Sequence, residues 1–478
     1  MLLPECVEDF VGPENPVRVI DAFVEGLDLL ALGWAQLDEG LPGAKAYDPK
    51  VLLKLYIYGY LNRVRSSREL EKATYRNLEV IWLLGRLNPD HWTINAFRRT
   101  QRTRFQAVFR QFNLLCGGLG LFGAELVAID GTFLKAVNNP ARNFTKGKVE
   151  RVLKEIDERT EAYLATLEKA EAEAASQGLG EAGAAAAPAP HDVPLRERVA
   201  QLQADRHEYA ALLARLTAEP GTQLSLTDPD SRLLQKGAET VVGYNAQVAV
   251  DASHHLIAAQ EVTRDPNDTQ QLAPMAEAAC AALGVEKIAA VGDKGFYNIE
   301  QLVRCAEQGI ETYVPAPQPA RVAGDGSYPD TSFRYEAESD CYHCPQGQVL
   351  PRQKDTAMTS GRYHVYANAA ACRTCPVRAA CTSGAYRRIN VHEHAKTAAA
   401  ARARLAAKPE MMARRQGIVE HVFGTIKFWM GHRAFLTRGL EMVRAEFSLS
   451  CLAYNLRRTL NLVEVPDLLA ALRAAGGR

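Results

Sequence analysis

The chain has 478 residues, more than one hydrophobic core usually serves, so about two to four domains are expected. Apolar residues at 47% and charged residues at 23% are ordinary for a globular protein and exclude a disordered or collagen-like chain. Fifty-six Lys and Arg balance fifty-six Asp and Glu, so no net field marks a polyanionic partner. The balance is uneven along the chain. Residues 54–110 carry twelve bases against four acids, 402–458 eleven against four, and 150–230 sixteen acids against eight bases. Nucleic acid therefore stays open as a partner, because phosphate binding needs clustered cations and not a high pI. The apolar runs stop well short of the roughly 20 residues that span a bilayer, and no membrane span is expected. The N-terminus lacks the basic-then-apolar pattern of a secretory signal. A cytoplasmic location follows as the expectation, with the ten cysteines as thiols or metal ligands before disulfides.

Residues 1–120 read as an all-helical domain. An apolar surface from Val51 to Leu61 opens at Pro49, a favoured first-turn residue. Ser66 and Glu69 spell a capping box for the next helix. Thr93 can cap a long arginine-rich helix with Phe97, Phe105, Val108, Phe109 and Phe112 buried. Arg98, Arg99, Arg102 and Arg104 then form a candidate DNA-binding face. A structural bundle with a wet basic face competes with that reading.

From 121 the texture is mixed. A strand at 125–129 ends in Asp130, and 132–137 continues in β-like composition. Two sets of residues at alternating three- and four-residue steps, Val149 to Ala170 and Leu195 to Leu216, predict an antiparallel helical hairpin over 146–222, with the low-complexity GEAGAAAAPAP as its tip. Strands follow at 244–250 and 256–263, joined by a turn at SHH. Then come a helix over 267–282, a strand at 287–291 running into Asp293, a helix at 298–307 and a strand at 312–314. A Cys-rich insertion occupies 318–408, and 409–478 supplies a strong helix over 410–430 and two more at 439–462 and 466–474. The fold class is thus α/β. Three strands, helix, strand, helix, strand and a closing helix after 317 is the order of an RNase H-like mixed-sheet core, with its first part at 121–317 and its second at 409–478.

Asp130, Asp293 and Glu420 stand out as acids at strand ends and on the helix after the insertion, where carboxylates can share divalent metal. On that helix Val419, Phe423, Ile426 and Met430 mark the buried stripe. Glu420, Gly424 and Lys427 share another face, with Gly424 as a small residue for close approach and Lys427 as a cation for phosphate. His421 points away from Glu420, and Trp429 reads as core. In the insertion, Cys341-x2-Cys344 and Cys372-x2-Cys375-x5-Cys381 form paired CxxC steps, a zinc signature with one cysteine in excess. Cys341, Cys344, Cys372 and either Cys375 or Cys381 are the expected ligands of one structural Zn2+, with His343 and His364 as further candidates.

VAIDGTFLKA around Asp130, TDPDSR at 227–232, GYNAQVAVD at 243–251, VGDKGF around Asp293 and IVEHVFGTIK around Glu420 occur in order on the expected elements. With SLSCLAYNLRR they make the sequence resemble bacterial insertion-sequence transposases of the DDE type, which have an RNase H-like catalytic domain. The resemblance implies metal-dependent cleavage of DNA at transposon ends and strand transfer into target DNA. It implies two Mg2+ (or Mn2+) ions, with Asp130 shared and Asp293 and Glu420 holding one each. The partners implied are double-stranded terminal inverted repeats and target DNA, with a homo-oligomer assembled on them. Asp228, Arg232 and Asp251 would organise the site. Relatives often carry Tyr and Arg before the Glu and Lys of the last helix. Here Ala413 and Gln416 stand in those places, and Arg414 and Arg415 are the candidates to grip DNA instead. A structure-selective nuclease and a non-catalytic DNA-binding protein are the competing functions.

Overall fold

The computed structural model describes residues 6–34, 47–176, 192–218, 223–236, 239–317, 328–329, 332–358 and 361–476. These fall into two compact units: 1–132, 245–433 and 441–478 in one, and 133–244 with 434–440 in the other. No described helix is long and apolar enough to cross a membrane.

The first unit begins with α1 (Val17–Glu25), α2 (Pro49–Leu61), α3 (Ser67–Arg76), α4 (Leu78–Leu83), α5 (His91–Thr100) and α6 (Phe105–Gly118). Asp48 caps α2 by accepting the Lys50 N–H, with Pro49 in the first turn. Helix α3 starts after Ser66 as expected, but the Ser66 side chain makes no cap bond. Asp90, not Thr93, caps α5 by accepting the Thr93 N–H. The expected long arginine-rich helix is two helices, because a 3-10 turn over Arg102–Arg104 separates α5 from α6. There the Thr100 hydroxyl and the Arg102 and Arg104 side chains bond main-chain carbonyls. Tyr56, Phe97 and Phe105 pack ring to ring at 6.0–6.1 Å.

The sheet follows. Strand β1 (Leu126–Lys135) runs through Asp130 without a break, so this aspartate lies inside the strand rather than at its end. Next come β2 (Asn143–Thr145), α7 (Lys146–Ser176), α8 (Asp192–Ala218), β3 (Gln223–Ser225), β4 (Arg232–Lys236), β5 (Glu239–Asp251) and β6 (Ile257–Thr263). Helix α9 (Leu272–Leu283), β7 (Ala289–Val291), α10 (Ile299–Glu307) and β8 (Glu311–Tyr313) complete this part. Strands β5, β1, β7 and β8 are neighbours in that order. The β1–β7 and β7–β8 pairs are parallel, and β6 lies antiparallel along 245–251 of β5. The sheet is therefore mixed, as expected of the fold class. One face is covered by α9 and α10, with Val127, Ile129, Leu272, Met275, Phe296 and Leu302 in a common buried cluster.

In the second unit α7 and α8 pack side by side over Phe144, Val149, Leu212, Leu216 and Leu224. The two predicted helices are present, and their connecting tip lies outside the described residues. Gly243 of β5 approaches β1 so closely that a Cβ there would fall 2.1 Å from the Leu134 carbonyl oxygen.

Residues 332–392 form two small antiparallel sheets: β9 (Arg334–Glu336), β10 (Cys341–His343) and β11 (Val349–Pro351), then β12 (Thr356–Met358), β13 (Gly361–Ala367) and, after the short α11 (Ala369–Arg373) and α12 (Arg378–Cys381), β14 (Arg388–His392). Their core is Phe333, Leu350, Tyr366 and Ile389. Helices α13 (Ala395–Ala407), α14 (Glu410–Gly424), α15 (Leu440–Leu460) and α16 (Val465–Gly476) close the chain. The helix expected over 410–430 changes pitch at Gly424, where a π-helical turn, Thr425–Trp429, takes over.

Candidate active site

The register of β1 against β7 places the two aspartates. Leu126, Val127 and Ala128 pair with Ala289, Ala290 and Val291, and the same offset carried two residues further sets Asp293 opposite Asp130. Adjacent strands lie roughly 4.8 Å apart, so the two residues come near each other although 163 positions separate them in the sequence. Arg415 of α14 lies between them. Its Nη2 donates to Asp130 Oδ1 at 2.9 Å and sits 3.7 Å from Asp293 Oδ2. Asp293 also caps the turn Lys294–Phe296 by accepting the Gly295 N–H at 2.7 Å. Arg415, expected to grip DNA, is thus a buried partner of the acids. Arg414 is exposed, and its guanidinium contacts the Met411 sulfur.

Glu420 lies on α14, which packs against β7. Val419, Phe423, Ile426 and Met430 are all buried, as the 3.6-residue period required. Arg415, on one side of Glu420, reaches Asp130, and Lys427, on the other, donates to Thr132 Oγ1. Glu420 is therefore borne on a segment fastened to β1 at both ends, with its own side chain exposed. At Gly424 a Cβ would meet nothing within 4 Å in this chain. The His421 ring meets His255 at 2.9 Å, and burial pushes both imidazoles below their ordinary pKa. Trp429 is not core. It is 42% exposed, with the Arg63 and Arg457 guanidiniums 4.4 and 3.1 Å from its ring centre.

Asp268 escaped the sequence reading. Its Oδ1 accepts from Asn245 and Gln247 of β5, and a Cβ on Gly131 would fall 2.5 Å from that oxygen. A Cβ on Gly295 would lie 2.9 Å from Asp293 Oδ1 and 3.9 Å from Asp268 Oδ2. Asp268 thus fills, together with the Gln247 amide, the space that the missing side chain of Gly131 leaves. No periodicity marks it, because it comes from the turn region before α9.

The residues expected to organise the site have other partners. Asp251 is buried and accepts the N–H groups of Gly123, Ala124 and Ser253, which fixes the approach to β1 and the β5–β6 turn. Asp228 and Arg232 belong to the second unit. There Asp228 accepts from the Tyr244 hydroxyl and the Gly439 N–H, with its carboxyl pushed up by burial, and Arg232 donates to the Pro229 and Ser231 carbonyls.

Of the four expected DNA-facing arginines, Arg99 and Arg102 are exposed and Arg104 is half-buried against the Gly33 carbonyl. Arg98 turns inward, 5% exposed, with its guanidinium 5.8 Å from the Tyr56 ring. The cysteines divide as well. Cys344, Cys372, Cys375 and Cys381 line one cavity, whereas Cys341 lies with Glu336 and His343. His364 bonds Arg352 and Asp355.

Two parts of the chain match protein-family models. Residues 343–460, which contain Arg415, Glu420 and Lys427, match the family described as Transposase DDE domain. Residues 5–100 match the family described as Transposase domain (DUF772). Comparison with curated proteins and with solved structures gave no match. The two family matches together indicate an insertion-sequence transposase of the DDE type. Its function is accordingly that of a transposase, a DNA-processing enzyme.

Proposed function

We propose that this transposase cuts DNA at transposon ends and joins those ends to target DNA, through Asp130, Asp293 and Glu420 in an RNase H-like core. The observation that carries the reading is the convergence of Asp130 and Asp293, from neighbouring parallel strands, on one cation supplied by the helix that bears Glu420. The order of the sheet and the antiparallel β5–β6 hairpin beside the parallel β1–β7–β8 set support the RNase H-like assignment.

The donor set suits a hard dication, because carboxylate oxygens select Mg2+ or Mn2+ over softer metals. Two such ions would activate the attacking oxygen of water or of a DNA 3′-hydroxyl and stabilise the departing one. Asp130 and Asp293, both within reach of Arg415, would hold the metal. Glu420, exposed on the helix that carries Arg415, would complete the set. Arg415 balances the charge of the two aspartates and holds the Asp130 side chain in one orientation. Lys427, anchored on Thr132 and seven residues after Glu420, would offer a cation to a DNA phosphate. Exposed Arg99, Arg102 and Arg414 offer contacts to terminal repeats or target DNA, and a homo-oligomer would bring two ends together.

The test uses Asp130→Asn, Asp293→Asn and Glu420→Gln. Each amide keeps the shape and removes the charge, so Mg2+-dependent nicking of transposon-end DNA should be lost while DNA binding in chelator persists. Cleavage at the wild-type rate in any one variant would remove that residue from the site. Cleavage without strand joining by the wild type would identify a structure-selective nuclease instead. Metal-independent binding with no cleavage at all would leave only a DNA-binding role.

A further inference from the structure

We infer that Cys344, Cys372, Cys375 and Cys381 form a structural zinc site, and that Cys341 has no part in it. A C-x2-C step brings two sulfurs together only on a turn, whereas in a strand residues three apart face opposite sides. Cys341 and His343 lie in β10, on the side where Glu336 sits. Cys341 Sγ is 3.6 Å from Glu336 Oε2, 3.8 Å from His343 Nε2 and 3.0 Å from Ser339 Oγ, a set of mutual hydrogen bonds. Tyr342 and Cys344 turn the other way, onto the core of Phe333, Leu350, Tyr366 and Ile389, where Cys381 also packs.

Cys344 opens a turn shaped for a metal thiolate. The Gly347 N–H bonds the Cys344 carbonyl at 2.8 Å, Gly347 has φ +72°, and the Gln348 N–H points at Cys344 Sγ from 3.4 Å. Cys372 and Cys375 sit on a second tight turn, with the Cys375 N–H 3.4 Å from the Cys372 carbonyl, and Cys381 ends α12. The four sulfurs line a single cavity of about 30 Å³ whose lining includes no carboxylate and no imidazole. Arg378 and Arg387 border it, and cations there offset the negative charge of a tetrathiolate site.

Four thiolates with no oxygen ligand select zinc and close the site to water, which makes its role structural. No three of the four sulfurs lie within 4.8 Å of one another, so binding should draw the short α11 and α12 toward Cys344, with each thiol giving up its proton.

The test is metal analysis of the full chain, purified without chelator under reducing conditions. About one zinc per chain is expected for the wild type, the same for Cys341→Ser, and close to none for Cys344→Ser or Cys372→Ser. Alkylation of the folded wild type covers the case in which those serine variants do not fold. Cys344, Cys372, Cys375 and Cys381 should be protected together and become reactive together when chelator removes the metal, with Cys341 unchanged by that treatment. Loss of zinc in Cys341→Ser, absence of zinc from the wild type, or iron and sulfide in its place would overturn the assignment. Because zinc content is read without DNA, this outcome is independent of whether Asp130, Asp293 and Glu420 cleave.

Discussion

At Asp130 the proposed metal would meet one competing cation. Arg415 is 7% exposed and donates to a carboxylate that is itself mostly covered. A cation bound there opposes the binding of a second cation to the same oxygens. Arg415→Gln should therefore bind Mn2+ about tenfold more tightly without DNA, since a hydrogen bond to a charged group is worth roughly 1.5–3 kcal/mol and part of that is regained from water. Arg415→Lys should stay close to the wild type. Calorimetric titration of both variants checks this, and unchanged affinity in Arg415→Gln would mean that the guanidinium does not occupy the carboxylates in solution. The same residue shows where sequence reading stopped. Arg415 could be seen as a base on a catalytic helix, but the sign of its nearest partner is a tertiary fact.

At the scale of elements, what the sequence disclosed was local and periodic. The buried stripe of α14 follows from one face of a 3.6-residue helix, and the strand containing Val127 and Ile129 from its apolar composition. Asp130 and Asp293 were legible as acids after apolar runs. That they face each other depends on the β1–β7 register, a pairing between distant segments that no short window contains. Asp268 and the split between Cys341 and Cys344 were hidden for related reasons: one is set by a turn against a neighbouring strand, the other by strand geometry where spacing suggested a turn. Two glycines test the geometry directly. Gly243→Ala should destabilise the protein by about 3 kcal/mol, because the added methyl meets the Leu134 carbonyl oxygen, a backbone atom that cannot rotate away. Gly424→Ala should stabilise by about 0.5–1 kcal/mol, since the methyl meets nothing and the unfolded chain loses freedom. Thermal or denaturant unfolding measures both. Equal effects at the two positions would contradict the close approach of β5 and β1.

Across the whole molecule, charges distant in sequence divide into buried pairs and exposed cations. Arg65, from the N-terminal helices, reaches Glu446 of α15 at 3.3 Å, and that carboxylate is fully buried beside His432. The two family-matched segments, 5–100 and 343–460, thus share an internal ion pair within one compact unit. The balanced total charge says nothing of this, and neither does the basic character of residues 54–110, since Arg65 and Arg98 are both inside. Only the exposed members can meet phosphate. Replacing Arg99 and Arg102 together by alanine should lower the slope of log affinity against log salt by roughly 0.9 for each phosphate no longer neutralised, with little change in unfolding temperature. Arg98→Ala should do the reverse, since it empties a buried position against Tyr56 while leaving the exposed face intact. Its unfolding temperature should fall and its salt slope should match the wild type. Binding measured across a salt series, beside a melting curve for each variant, separates the two. A salt slope unchanged in the Arg99/Arg102 double variant would place the DNA-binding surface elsewhere among the exposed basic residues.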